Sequence, residues 1–157
     1  MKESAERLIN LLKEKGMHVA TAESCTGGMV SAVITAVPGA SEVFDGTVVS
    51  YANEIKRRVL GVKSETLESV GAVSEECACE MADGVRHLMG ADIGISLTGI
   101  AGPGGGTPEK PVGTVYLGIS HKDETYALRL SLSGNRETIR QESVKAALDE
   151  AYKRSLT

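Results

Sequence analysis

The sequence predicts an α/β fold: a three-layer α/β/α single domain over residues 1–157, on a mixed, mostly parallel sheet. Three observations carry this expectation. Apolar residues at helical spacing alternate with short β-branched runs as far as Thr98. Two strand-like runs flanking His121-Lys122-Asp123 then read as an antiparallel hairpin. Finally, 157 residues is the length of one domain that can bury a core of its own.

In chain order, Ala5, Leu8, Ile9, Leu11 and Leu12 give the segment 4–15 one apolar face, and Gly16 ends it as a helix. Met17 to Ala22 reads as a short strand that contains His18. A polar turn, Glu23 to Gly28, separates it from an apolar helix, Met29 to Val37, closed by Pro38-Gly39. Val43 to Ser50 is expected as a buried second strand, with a short helix starting within Tyr51 to Lys56. Ser64 to Val70 reads as a brief helix. Ser74 opens a longer one, with Glu75 and Glu76 in the first turn where the helix dipole favours them, and Gly90 closes it. Ala91 to Thr98 is apolar and β-branched, as a central strand should be. A glycine-rich loop from Gly99 follows, then the hairpin strands Val112–Ser120 and Glu124–Leu132, then a last helix over about 136–155.

Composition excludes several functions. The 17 basic and 21 acidic residues leave a net charge of −4, which is wrong for holding nucleic acid by phosphate neutralisation. Aromatics are 3%, with no Trp, so stacking platforms for single strands are missing. No apolar run approaches the length of a membrane span. Three cysteines and no apolar leader point to a reducing, cytoplasmic setting. No nucleic-acid or membrane partner is therefore expected.

Polar residues gather at three places just after strands, where open α/β sheets collect ligands. The first is Glu23-Ser24-Cys25-Thr26-Gly27-Gly28. A serine on a strand-to-helix turn projects its hydroxyl, and the amides that follow can hold an oxyanion or an anion. The same residues also read as a capped helix start. The second is Tyr51 to Lys56. Lys56 is either a solvated helix lysine or, desolvated, a base for Ser24. His18, His87 and His121 are not placed by pattern to serve that serine. The third is Gly99 to Gly113, either an anion nest or a surface loop. It is neither a Walker loop nor a dinucleotide fingerprint. Cys77-x-Cys79 with His87 fails as a metal site, because i,i+2 residues diverge on a helix. Tyr51-x-Asn53 without any S-x-x-K does not make a penicillin-recognising enzyme. Cys25, lacking a histidine partner, ranks behind Ser24 as nucleophile.

Five stretches together resemble one family: Thr21-Ala22-Glu23-Ser24-Cys25-Thr26-Gly27-Gly28; Tyr51-Ala52-Asn53-Glu54-Ile55-Lys56; Gly71-Ala72-Val73-Ser74-Glu75; Gly99-Ile100-Ala101-Gly102-Pro103; and Lys110-Pro111-Val112-Gly113-Thr114-Val115. They are similar, in order and separation, to the CinA C-terminal domain family, which includes the stand-alone nicotinamide-nucleotide amidohydrolases. The resemblance covers nearly the whole chain. It implies an α/β/α domain that hydrolyses the carboxamide of nicotinamide mononucleotide to nicotinate mononucleotide and ammonia, with no cofactor and no metal. It implies Ser24 as nucleophile, Lys56 as general base and Tyr51 as a proton relay or orienting group. Cys25, Thr26, Gly27, Gly28, Asn53, Thr98, Gly99, Ala101, Gly102, Gly104, Arg136 and Arg140 are implied to face the substrate. Members also occur fused to a molybdopterin-binding-like domain; this sequence is expected to be the stand-alone form and a homo-oligomer. The alternative is a non-catalytic nucleotide-binding or regulatory domain, which would not need Ser24 and Lys56 together.

Overall fold

The computed structural model describes residues 1–157. The helices are α1 (Lys2–Lys15), α2 (Met29–Thr35), α3 (Asn53–Leu60), α4 (Ser64–Ser69), α5 (Glu75–Met89) and α6 (Arg136–Leu156). The strands are β1 (Val19–Glu23), β2 (Phe44–Val49), β3 (Ile93–Gly99), β4 (Thr114–His121) and β5 (Glu124–Ser131), in the sheet order β2-β1-β3-β4-β5. Helices α1, α2 and α6 cover one face; α5, with α3 and α4 against it, covers the other. The three-layer expectation holds. The sheet is mixed, with its pairings evenly split: β1 lies parallel to β2 and β3, while β3–β4 and β4–β5 are antiparallel.

The main core joins the apolar stripes of α1 (Ala5, Leu8, Ile9, Leu12) and α6 (Ile139, Val144, Ala147, Leu148) to Ile93, Ile95 and Leu97 of β3 and Val115, Leu117 and Ile119 of β4. A smaller cluster under α5 joins Ala20 and Ala22 of β1 to Leu60, Cys77, Met81 and Val85. Every residue of β1 is buried, as befits a strand covered on both faces. Contrary to expectation, β2 is half-exposed, because it forms the edge of the sheet. His18 is a second correction. It lies before β1, exposed, with its backbone N–H donating to Asp92 at 2.7 Å and its Nδ1 2.7 Å from Asp45 Oδ1. No helix is long and apolar enough to cross a membrane.

Register places the functional loops together. Glu23, the last residue of β1, pairs with Val49 on one side and Leu97 on the other. Ser24 and Ser50, just past β1 and β2, therefore lie at the same end as Thr98 near the close of β3, on three adjacent parallel strands. The connection from β1 to β2 runs through α2 on one face, and that from β2 to β3 through α5 on the other. The strand order thus reverses at β1, and a crevice opens at the carboxyl ends of β1 and β3.

Candidate active site

The Ser24 turn is built from Glu23 outward. Successive strand residues point to opposite faces, so Glu23 and Ser24 diverge. Five donors converge on the Glu23 carboxylate: the Thr26 hydroxyl at 2.7 Å, the Gly28, Val30 and Ser31 amides at 3.2, 2.9 and 3.1 Å, and the Thr47 hydroxyl at 3.4 Å. These satisfy most of the free amides at the start of α2, where Gly28 offers no side-chain cap. Gly27 and Gly28 have φ of 57° and 103°, a left-handed path that other residues resist. The Gly27 amide closes the turn on the Ser24 carbonyl at 3.0 Å.

Lys56 is brought in by α3. Its side chain is 1% exposed, the largest fully buried side chain in the molecule. Helix α3 lies close enough to α5 for this because residue 84 of α5 is glycine; a Cβ there would press into the Leu60 carbonyl. The Lys56 amine lies 3.0 Å from Ser24 Oγ and donates to the Ser50 carbonyl at 2.8 Å and the Tyr51 carbonyl at 3.1 Å. Burial holds its pKa below the usual lysine range, against smaller opposing effects of the Cys77 and Cys25 thiols. Arg57 and Arg58, its sequence neighbours, are exposed and are not among the causes.

A cleft of about 240 Å³ opens over the pair, lined by Ser24, Cys25, Tyr51, Asn53, Lys56, Ala72, Val73, Thr98, Gly99, Ala101 and Arg136. Nine of these were expected from the sequence. Tyr51 is 62% exposed, and its hydroxyl accepts from Arg136 Nη2 at 3.3 Å rather than bonding to Ser24 or Lys56. Arg136 also donates to the Gly102 carbonyl at 2.8 Å, spanning the cleft from α6 to the glycine-rich loop.

Other expected residues sit elsewhere. Arg140 donates to the Cys25 carbonyl at 3.0 Å and the Thr26 carbonyl at 3.2 Å, so it braces the Ser24 turn. The Thr26 side chain is wholly buried against Glu23. The Gly27 and Gly28 amides are committed to Ser24 and Glu23, not to a ligand. Gly104 is exposed outside the cleft. The Cys25 thiol is pushed up to about 11 by burial, which leaves no thiolate to attack at neutral pH. The residues missed are Glu23, Ala72 and Val73. Ala72 forms cleft wall and accepts the Thr98 hydroxyl at 2.9 Å. Glu23 had a readable signal, the one charged residue ending a run of small and β-branched residues beside a turn serine.

Fold and site together define an α/β domain with a half-buried serine beside a buried lysine at the point where its strand order reverses. The chain belongs to the CinA C-terminal domain family, which matches residues 1–154. A CinA-like protein of Thermotoga maritima is 51% identical over 148 residues, covering 94% of this chain and 36% of that protein. The chain thus spans about a third of the length of the curated relatives it matches. Among solved structures, the competence/damage inducible protein CihA from Agrobacterium tumefaciens superposes with a TM-score of 0.95 at 39% identity, covering 99% of this chain and 95% of that one. A CinA superfamily protein from Klebsiella pneumoniae 700603 gives 0.95 at 35% identity, with 99% and 97% covered.

Proposed function

We propose that the domain is an amidohydrolase that converts nicotinamide mononucleotide to nicotinate mononucleotide and ammonia through a serine–lysine mechanism. One observation carries the reading: a fully buried lysine amine 3.0 Å from a turn serine, with two carbonyls accepting its other hydrogens. A neutral amine has two N–H bonds and one lone pair. With the hydrogens given to Ser50 and Tyr51, the lone pair faces Ser24 Oγ, the geometry of a general base.

Lys56 takes the Ser24 proton as Oγ attacks the carboxamide carbon. The cationic pyridinium ring withdraws electrons and eases that attack. The Cys25 amide, which has no acceptor in another residue and belongs to the cleft wall, serves the tetrahedral oxyanion. One such donor is worth about 3 kcal/mol of barrier. The Lys56 ammonium returns its proton to the departing nitrogen, ammonia leaves, and water activated by the same amine hydrolyses the Ser24 ester. Tyr51 orients Arg136, and Arg136 receives the phosphate at the cleft mouth.

The test is ammonia release from nicotinamide mononucleotide by purified protein beside Ser24→Ala. Release by the wild type alone supports the reading. Binding without release would favour a non-catalytic nucleotide-binding or regulatory domain.

A further inference from the structure

We infer that Glu23 is a positioning residue for the reaction: its carboxylate holds the Ser24 turn in a shape that leaves the Cys25 amide free at the cleft for the oxyanion. This rests on the serine–lysine reading of the same site. It adds to that reading a residue that touches neither the substrate nor the reacting atoms.

Each backbone polar group of the turn can be followed to its partner. The Ser24 amide donates to the Leu97 carbonyl at 2.9 Å, and the Ser24 carbonyl accepts from Gly27. The Cys25 carbonyl accepts from Arg140 Nε. The Thr26 carbonyl accepts from Arg140 Nη2 and from the Met29 amide. The Gly28, Val30 and Ser31 amides, which would otherwise compete for an anion, are taken by Glu23. The Cys25 and Thr26 amides have no acceptor in another residue, and of the two only Cys25 lines the cleft, Thr26 being wholly buried.

Glu23 is an unusual way to cap a short helix. Caps are normally Ser, Thr, Asp or Asn at the residue before the first turn, bonding one or two amides. Here the acceptor lies five residues ahead of Gly28, is 1% exposed and has no cation in ion-pair contact. A buried unpaired carboxylate is costly unless donors surround it. Its reach explains why it is there. It grips the turn at Thr26 and again beyond it at Val30 and Ser31, while Arg140 holds the opposite, carbonyl side. A cap at position 28 would grip only the far end.

Glu23→Gln keeps shape and volume but puts an NH2 where Ser31 or Gly28 donates, so the turn loosens without losing Ser24 or Lys56. Two readouts separate positioning from general damage. The first is the split between kcat and KM for nicotinamide mononucleotide. The second is the rate at which a fluorophosphonate labels Ser24, followed as a mass increase of the intact protein: the Oγ–P bond forms, fluoride leaves and Lys56 takes the proton. The labelling step builds an anionic oxygen in the same hole and requires no nucleotide. Glu23→Gln is expected to slow both kcat and labelling by about tenfold or more, the scale of a lost oxyanion donor, with KM within about twofold of wild type. Labelling and kcat at the wild-type rate would overturn the inference. Labelling that depends on Glu23 in a protein that does not turn over the nucleotide supports it and displaces only the substrate. A wild-type Ser24 that is never labelled overturns the serine–lysine reading and this inference with it. Should Glu23→Gln fail to fold, Thr26→Val and Thr26→Ser decide. Slower labelling in the valine variant, restored by serine, supports the clamp, and wild-type labelling in the valine variant overturns it.

Discussion

Lys56 has to gain and lose a proton in every proposed turnover while buried. Burial holds its folded-state pKa below the ordinary lysine value of 10.5. Activity and stability then move the same way with pH. The active form is the neutral amine, so kcat/KM rises with pH through one group with a midpoint below 10.5. For stability, the unfolded chain holds more protons than the folded one between the depressed pKa and 10.5, so stability increases with pH across that window and is flat on either side. Denaturant unfolding of wild type relative to Lys56→Met, measured from neutral pH to above 10.5, should show this slope and then a plateau. Lys56→Arg keeps a charge but cannot act as a base, and it should be as inactive as Lys56→Ala; near-normal kcat would make Lys56 an electrostatic anchor. The thiols behave oppositely. Cys25 and Cys77 are buried and, like Cys79, pushed up to about 11, so iodoacetamide near neutral pH should leave the rate of ammonia release unchanged.

Among the elements, α3 has the most exacting placement, since it carries Lys56 to within 3.0 Å of Ser24. Its contact with α5 is set at Gly84, where an added methyl would meet the Leu60 backbone. Gly84→Ala should push α3 outward, costing about 1–3 kcal/mol as overpacked contacts do. At roughly 2–4 °C per kcal/mol for a chain of this size, a thermal melt would detect it. The kcat should fall as well, because Lys56 moves with the helix. Helix α1 was readable in sequence because its leucines repeat at helical spacing and Gly16 stops it, φ 61°. The hairpin and α5 were readable for similar local reasons. The half-exposed state of β2 was not, because an edge position depends on which strands pair, and its valines suit either place. Lys56 was paired with Ser24 in sequence only through the serine's need of a base and the family resemblance, since no local pattern fixes a contact across 32 positions. Arg140 shows the same limit from the other side: nothing local says that an arginine on α6 would spend itself on two carbonyls of a distant turn.

At the scale of the whole molecule, the site draws on both ends of the chain. No group of three His, Cys, Asp or Glu side chains is placed to hold a metal ion, and the serine–lysine scheme gives a metal no step. Ammonia release should therefore proceed unchanged in EDTA; a loss reversed by zinc or magnesium would contradict the scheme. The bracing of the Cys25 carbonyl by a residue 115 positions downstream also has a consequence for synthesis. A ribosome adding about 5–20 residues per second takes roughly 6 to 23 s to travel from Cys25 to Arg140. Both strand partners of β1, first β2 and then β3, are synthesised within that interval, whereas the arginine that braces the turn comes only at its end. The nascent polypeptide therefore carries Ser24 on an unbraced turn until α6 has emerged.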